Sequence, residues 1–279
     1  MSIPCSKSKP DKLLSHQTSG TFAGQHTSRV SRKITQKSER ISKQNICAQE
    51  QMTIAPIAHI HTPFSEKFGI PRQSCLVDIP ATIVFTPPFR RVEAVRGLET
   101  FSHVWLIWQF SKTPHTQKNL TVRPPRLGGN RRLGVFATRS PFRPNHLGLS
   151  CVRLVRVDFN SKWGPVLHVR GADLLDQTPI YDLKPYLPFT DAHADAAGGF
   201  ADDVYEHTLE VCFPTSLENT LPNDLIDQIR SVLEQDIRPS YQTDPTRLYG
   251  MCYDKYQIRF TVDGNKVFVR AVQIDHPAH

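Results

Sequence analysis

Short runs of β-branched and aromatic residues, separated by turn residues, follow one another from Thr53 to about residue 190. Runs of this kind predict β-strands. The run LSCVRLVRV alternates apolar and polar positions, as a half-buried strand does. The predicted strands cover residues 54–60, 81–86, 103–110, 133–138, 149–157 and 165–171. No amphipathic pattern of helical length lies between them, which argues against a doubly wound sheet and favours a barrel or a sandwich.

The pattern changes after about residue 190. The stretch DAHADAAGGFADD (191–203) is small, acidic and predicted to be a linker, and HTLEVCF (207–213) predicts a strand. Residues 221–236 predict a helix with Asn223 as its N-cap. The five apolar residues on one face of this helix are Leu225, Ile226, Ile229, Val232 and Leu233. The chain ends in predicted strands with a hairpin turn at Asp263–Gly264.

The first 51 residues are rich in Ser, Thr, Gln and Lys, and Phe22 is their only aromatic residue. They cannot bury enough apolar surface to offset the entropy of ordering, so residues 1–52 are predicted to be a disordered basic tail. The Arg- and Ser-rich composition is also typical of an organelle transit peptide. A third alternative is that the natural start is Met52 and that the tail is a dispensable extension.

The net charge of +8 is concentrated in two places. The tail carries nine Lys and Arg residues against three acidic residues. Residues 123–145, RPPRLGGNRRLGVFATRSPFRPN, carry six arginines, no lysine and no acidic residue, and we call them the arginine strip. Guanidinium groups bind phosphates bidentately and stack on bases, so the strip predicts a site for a polyanion such as RNA. One or two of the six arginines are expected to pair with acidic residues of the body instead.

The motifs of the common enzyme classes are absent. Gly129 and Gly134 have the spacing of a P-loop, but Val135 and Phe136 follow where Lys and Ser/Thr are required. There is no GxGxxG after a strand and no GxSxG elbow. The six cysteines show no CxxC pair and the twelve histidines no HExxH, so no metal site is predicted. Spread cysteines and the lack of a membrane-length apolar run predict a soluble cytoplasmic protein.

Two further stretches carry candidate chemistry. The stretch ADLLDQTPIYDLKPYLPF (172–189) holds Asp173, Asp176 and Asp182 among apolar residues and turn formers. A wide, capped turn would account for one or two of these carboxylates. A cationic small-molecule group nearby would account for the rest. His103 opens an aromatic strand, where a lone histidine is more often structural than a catalytic base.

Several long motifs in the same order make the sequence similar to a known family. VRPPRLGG and RLGVFATRSPFRPN in the arginine strip, DLLD and TPIYDLKPYLPF after it, and EKFGIPRQ (66–73) and AVRGLE (94–99) before it resemble the TrmO/TsaA-type family of tRNA N6-methyltransferases. The resemblance is dense over about residues 54–190 and continues more weakly to EQDIRPSYQ (234–242). The tail before Met52 is outside it.

The resemblance implies a fold, an activity and partners. It implies a mainly β protein with a single-sheet β-barrel core over residues 53–195, which binds S-adenosylmethionine and catalyses the reaction. The strand and helix patterns after this core predict a small α+β domain over residues 203–279. The resemblance implies methylation of N6 of threonylcarbamoyladenosine at position 37 of threonine tRNAs, next to the anticodon. It also implies a homodimer. The barrel agrees with the strand pattern and with the missing dinucleotide-binding glycines.

The resemblance also implies roles for particular residues. Three are catalytic candidates: Arg139, Tyr181 and Asp182. His103 is a weaker candidate for a base. The residues expected to contact the cofactor are Gln73, Ser74, Cys75, Phe110, Ser111, Arg139, Leu149, Asp176, Gln177, Thr178 and Pro179. The residues expected to contact RNA are Arg123, Arg126, Arg131, Arg132, Arg143 and Asn145, with Arg139 or Arg143 binding the threonyl carboxylate of the substrate.

A rival hypothesis remains from the residues alone. A non-enzymatic RNA-binding barrel would carry the same arginine strip without admitting a cofactor. Binding of S-adenosylhomocysteine separates the two hypotheses, because only the enzyme requires a cofactor site.

Overall fold

A computed structural model describes residues 52–114, 120–124, 127, 131–204, 208–239 and 242–274. The strands are β1 (Ala58–His61), β2 (Pro80–Phe85), β3 (His103–Gln109), β4 (Thr121–Val122), β5 (Leu133–Gly134), β6 (Leu147–Asp158), β7 (Val166–Arg170), β8 (Thr178–Pro185), β9 (Glu210–Cys212), β10 (Tyr249–Tyr253), β11 (Tyr256–Asp263) and β12 (Lys266–Ile274). The α-helices are α1 (Val92–Val95), α2 (Pro188–Asp191), α3 (Thr215–Glu218) and α4 (Asn223–Leu233). Short 3-10 helices cover Pro87–Phe89, Leu98–Thr100, Val135–Ala137 and Gly199–Val204.

Six strands close into a barrel in the order β1-β2-β7-β6-β3-β8, with every neighbouring pair antiparallel. Alternate residues of each strand point into the barrel, so β3 has the burial pattern expected of HVWLIWQ, with Val104, Leu106 and Trp108 inside. These side chains join one continuous apolar core with Ile60, Ile83 and their neighbours. The predicted β-barrel is confirmed.

A second sheet has the order β10-β11-β12-β9, with β9 parallel to β12 and the other pairs antiparallel. Helix α4 covers one face of this sheet, where Ile229, Val232 and Leu233 are buried against residues such as Phe260. The predicted small α+β unit is thereby confirmed. Its core also includes Phe64, Val77 and Ile79, which come from the segment between β1 and β2.

Several local predictions need correction. LGVFAT (133–138) is a two-residue strand followed by a 3-10 helix, because Gly134 ends the extended run and Thr138 Oγ1 donates to the carbonyl of Val135. TPIYDLKP is strand β8, although its polar residues and prolines resemble a turn. Helix α4 begins at Asn223 with Pro222 before it, so Asn223 is not the N-cap. The hairpin is confirmed, and Gly264 provides its left-handed turn with φ of 57°.

The prediction of a disordered tail concerns residues 1–52, nearly all of which lie outside the described residues. No helix in the described part of the chain is long and apolar enough to cross a membrane.

Candidate functional site

A pocket of about 910 Å³ lies beside the end of β3 and the beginning of β6. Its walls come from four parts of the chain that are distant in sequence. They are residues 67–73, residues 107–114, residues 136–149 and the stretch before and into β8 that contributes Asp173, Leu175 and Thr178. This size is in the usual range for cofactor and small-molecule sites.

The pairing of β3 with β6 forms the apolar part of the pocket. Trp108 lies opposite Gly148 in the register, and a Cβ atom at position 148 would collide with the indole ring. The ring of Phe110 packs edge-on against Trp108 with a centroid distance of 4.3 Å. Phe136 and Phe142 line the pocket as well and are 75% and 40% exposed, so apolar surface is available there to a bound molecule.

A hydrogen bond joins two of the predicted cofactor contacts. Arg139 Nη1 donates to Gln73 Oε1 at 2.5 Å, and both residues line the pocket. Arg143 also lines it and donates from Nη1 to the carbonyl oxygen of Thr138 at 3.2 Å, so its guanidinium is held close to the same loop. Arg139 and Arg143 are therefore cationic groups of the pocket that a carboxylate or phosphate can reach.

A partly buried carboxylate faces the same pocket. Asp173 Oδ1 accepts a hydrogen bond of 2.6 Å from Ser150 Oγ, which itself accepts one of 2.9 Å from Trp108 Nε1. Burial raises the pKa of Asp173 above its usual range, while the hydrogen bonds from Ser150 and from the backbone N–H of Ser74 and the charge of Arg139 oppose that rise. A bound cation would stabilise the ionised form of such a carboxylate.

The remaining predicted cofactor contacts divide into two groups. Phe110, Ser111, Leu149 and Thr178 line the pocket together with Gln73 and Arg139. Ser74, Cys75, Asp176, Gln177 and Pro179 are not among its lining residues. Six of the predicted contacts thus line one pocket, and the other five are close in sequence to residues that line it.

Asp176 and Gln177 take part in a turn that closes the barrel. The backbone N–H of Thr62 donates to Asp176 Oδ1 at 3.1 Å, and Gln177 Nε2 lies 2.8 Å from His61 Nδ1. Gln177 has a left-handed φ of 63°, and Thr178 Oγ1 donates to the carbonyl of Leu175 at 2.7 Å. These contacts are those of a capped turn. Asp176 therefore has the structural role that the sequence suggested for one or two of the three carboxylates.

Cys75 lies at the end of the Gln73–Ser74 segment. It adopts a left-handed φ of 61°, its N–H donates to the carbonyl of Gly171 at 2.8 Å, and its thiol donates to the carbonyl of Cys151 at 3.2 Å. Burial raises the pKa of the Cys75 thiol, with Asp173 adding to the rise. The residue therefore anchors the segment to the barrel.

The predicted catalytic residues of β8 lie in different surroundings. Tyr181 donates from its hydroxyl to Gln109 Oε1 at 2.7 Å, and Gln109 lines the pocket, so Tyr181 is one residue removed from it. Asp182 pairs with Lys184 at 2.9 Å and lines a separate cavity of about 450 Å³. His103 Nδ1 lies 2.9 Å from Ser102 Oγ and outside the pocket lining.

The predicted RNA contacts follow the arginine strip. Arg123, Arg131 and Asn145 are exposed, and Arg132 Nη1 donates to Thr121 Oγ1 at 3.2 Å. Arg126 lies outside the described residues. Among the six predicted contacts, Arg143 lines the pocket.

Sequence reasoning missed several residues of the pocket: Lys67, Arg72, Trp108, Gln109, Phe136 and, as a site residue, Asp173. The sequence shows Asp173 as one of three carboxylates, but nothing in the spacing separates it from Asp176 and Asp182. Its distinction comes from the barrel, which brings Ser150, Trp108 and Arg139 to it.

The fold and the pocket together define a class of protein: a closed antiparallel β-barrel with a cofactor-sized pocket that is lined by aromatic rings, arginines and one carboxylate. Two family descriptions match the chain in tandem. The tRNA-methyltransferase O N-terminal domain matches residues 59–192, and the TrmO C-terminal domain matches residues 206–275.

Individual relatives agree with this match. The chain is 40% identical over 215 residues to the tRNA (adenine(37)-N6)-methyltransferase of Escherichia coli K12, covering 74% of this chain and 91% of that one. It is 42% identical over 217 residues to a Pseudomonas aeruginosa protein named as a putative S-adenosylmethionine-dependent methyltransferase, covering 71% and 87%. The crystal structure of TrmO from Pseudomonas aeruginosa superposes with a TM-score of 0.63 at 33% identity, covering 80% and 99%. The chain belongs to the TrmO family.

Proposed function

We propose that this protein transfers the methyl group of S-adenosylmethionine to N6 of threonylcarbamoyladenosine at position 37 of threonine tRNAs. The broad activity, that of an S-adenosylmethionine-dependent tRNA methyltransferase, follows from membership of the TrmO family and from the names of its relatives. The modified base and the threonine tRNAs are the finer part of the proposal. The single observation that supports the location of the cofactor site is the pocket that Gln73, Arg139 and Asp173 line together.

The residues of the pocket fit S-adenosylmethionine chemically. The cofactor combines an adenine ring, a sulfonium cation, and an amino acid end with an ammonium and a carboxylate group. Aromatic rings such as Phe110 and Phe142 suit the adenine, and Asp173 suits a cationic group. Arg139 suits a carboxylate, since its guanidinium offers a planar pair of donors. When bound, the cofactor supplies an electrophilic methyl group.

The protein's own contribution is orientation and electrostatics. Methyl transfer requires an in-line approach of N6, so a rigid pocket provides most of the catalysis. Gln73 fixes the Arg139 guanidinium, and Ser150 fixes the Asp173 carboxylate. Tyr181 acts through Gln109, whose side chain it orients by a hydrogen bond. We therefore treat Tyr181 as a positioning residue.

The substrate carries negative charges that the arginine strip would neutralise. The threonyl group has a carboxylate, and Arg143 at the pocket is the residue that we propose to bind it. The anticodon-loop phosphates would lie against exposed arginines farther along the strip, including Arg123, Arg131 and Arg132. Different residues of the arginine strip would therefore serve substrate binding at the pocket and binding of the RNA backbone.

We further propose that the protein acts as a homodimer in the cytoplasm, as the family resemblance implies. Residues 53–195 would form the catalytic unit, and residues 203–279 would support it.

The proposed function is tested by incubating the purified protein with S-adenosylmethionine and threonine tRNA that bears threonylcarbamoyladenosine. Nucleoside mass spectrometry should show the gain of one methyl group on that nucleoside. Unmodified tRNA is the matched control, and transfer to it at an equal rate would exclude a role for the threonyl carboxylate. Failure of the protein to bind S-adenosylhomocysteine would instead favour a non-enzymatic RNA-binding barrel.

A further inference from the structure

The segment between β1 and β2 connects the C-terminal sheet to the pocket, and we call residues 63–75 the connecting segment. Its first half belongs to the C-terminal core. Phe64 is 1% exposed and meets Tyr253 edge-on at 5.8 Å, and Phe68 stacks with Phe260 at 6.5 Å. The backbone is tied as well, because the N–H of Asp254 donates to the carbonyl of Pro63 at 2.7 Å.

Arg72 fastens the second half of the connecting segment to a turn of the C-terminal unit. Its Nη2 donates to the carbonyl oxygens of Asp236 and Arg238, at 2.8 Å and 2.7 Å. A guanidinium that bridges two carbonyls fixes their separation as well as its own position. These contacts connect positions that are 164 and 166 residues apart.

The turn that receives Arg72 is itself held rigidly. Arg238 donates from Nε and Nη2 to Asp236 Oδ1 and Oδ2, at 2.8 Å and 3.1 Å. The two side chains are only 11% and 13% exposed. Asp236 has a left-handed φ of 42°, which costs free energy for a non-glycine residue and requires support from its surroundings. The Arg238 fork provides that support.

The residue that follows Arg72, Gln73, lines the pocket. Gln73 accepts the hydrogen bond of Arg139, and the backbone of Ser74 opposes the rise in the pKa of Asp173 and so favours its ionised form. Three consecutive residues thus join the C-terminal turn, the cationic group and the anionic group. A displacement of the turn would move all of these contacts together.

We propose that Arg72 is a positioning residue and that the Asp236–Arg238 turn, although outside the pocket lining, sets the affinity of the pocket for its cofactor. The C-terminal unit would then be part of the cofactor site. The reason is preorganisation: groups that contact a ligand bind it tightly only when the surrounding residues hold them in place. The inference rests on the proposed location of the S-adenosylmethionine site.

The test measures the dissociation constant of S-adenosylhomocysteine by calorimetry on the full chain. Arg72→Met and Arg238→Met should each raise it about tenfold, as the removal of a supporting residue does. Because the Arg238 side chain acts by holding the turn whose carbonyls Arg72 binds, the double variant should be well short of the hundredfold expected for independent effects. Arg72→Lys should restore most of the affinity, since an ammonium can still donate to both carbonyls. Arg270→Met, at an exposed arginine of β12, is the matched control and should bind like the wild type.

Arg238→Met is decisive, because Arg72 lines the pocket and its replacement could act directly on the ligand. A folded Arg238→Met with wild-type affinity would overturn the inference while leaving the cofactor site intact. If circular dichroism shows that this variant does not fold, Asp236→Asn decides by the same criterion. Failure of the wild type itself to bind S-adenosylhomocysteine would count against both the cofactor site and the inference. If Arg139→Met loses binding while the Arg72 and Arg238 variants keep it, the site is located but the role of the turn is contradicted.

Discussion

Arg139 Nη1 donates to Gln73 Oε1 at 2.5 Å, a contact between residues 66 positions apart in the chain. One of them belongs to the arginine strip and the other to the connecting segment. The bond places a guanidinium at the pocket while satisfying one of its donors within the protein. The remaining donors of that planar group are thereby held in a fixed orientation.

Substitution of Arg139 by Lys should impair catalysis without unfolding the protein. Lysine keeps the charge but cannot present two parallel donors to a carboxylate while also binding Gln73. We expect kcat/KM to fall about 10- to 100-fold, corresponding to roughly 1.4–2.7 kcal/mol of transition-state binding. Steady-state methylation assays measure this change. Arg156→Lys, on an exposed arginine of β6, is the control, and near-normal activity of Arg139→Lys would remove Arg139 from the essential site.

Asp173→Asn should weaken S-adenosylmethionine binding more than S-adenosylhomocysteine binding. Only the former carries the sulfonium charge, so the difference in the two dissociation constants reports whether Asp173 faces that charge. Equal decreases in the two affinities would indicate that Asp173 faces the ammonium group, which both ligands carry. Unchanged affinities would exclude Asp173 from the cofactor site. Calorimetry with both ligands makes the comparison, with Asp78→Asn on the barrel surface as the control.

The same carboxylate predicts a pH dependence. The pKa of Asp173 in the unliganded protein is raised by burial, so the ionised form is disfavoured there. A cation binds the ionised form, and its affinity should therefore decrease as the pH falls through the raised pKa. The effect on the free energy of unfolding has the opposite sign. At pH values above the ordinary pKa of aspartate the raised pKa of Asp173 destabilises the folded protein, and at pH values below it the effect disappears. Asp173→Asn should accordingly raise the Tm at neutral pH, by about 2 °C if the effect approaches 1 kcal/mol.

The two β8 candidates should behave differently. Tyr181→Phe removes the hydrogen bond to Gln109 at the pocket and should lower kcat with little change in Tm. Asp182→Asn removes an exposed pair with Lys184, beside the second cavity, and should leave kcat within about twofold of the wild type. A large decrease in Asp182→Asn, with a normal circular dichroism spectrum, would restore Asp182 as a candidate base.

The exposed arginines of the strip should contribute to RNA affinity alone. Arg131→Ala and Arg132→Ala should weaken tRNA binding and lower the slope of log K against log salt by about one for each phosphate that the protein no longer neutralises. S-adenosylhomocysteine affinity should not change, because neither residue lines the pocket. Filter binding at several salt concentrations tests this, and an unchanged slope in both variants would assign phosphate binding to other residues.

Gly148→Ala should damage both stability and the pocket. The added Cβ would meet the Trp108 indole, and backbone pairing between β3 and β6 prevents the strands from moving apart. We expect a decrease of about 1–3 kcal/mol in the free energy of unfolding, typical of overpacking. Urea titration measures it, and Gly134→Ala, where a Cβ meets nothing, is the matched control.

Local patterns along the chain were enough to predict a strand-rich barrel or sandwich, the α+β end and the arginine strip, and the family resemblance favoured the barrel. Alternation in β6 and the apolar face of helix α4 can be interpreted without knowing what each residue will touch. The family motifs added the cofactor and the substrate. Strand β8 was missed because its two prolines and its aspartate are typical of a turn, and its strand form depends on pairing with β1 and β3.

Chemically similar residues, in contrast, are told apart by their positions in the folded chain. Asp173, Asp176 and Asp182 are equivalent in spacing and composition, yet the first faces the pocket, the second caps a turn and the third pairs with Lys184 beside another cavity. The role proposed for Arg72 depends on its hydrogen bonds to two backbone carbonyl groups that are 164 and 166 positions away in the chain. Such roles depend on distance in space, which strand order and register decide once the barrel has closed, and no local pattern contains that information.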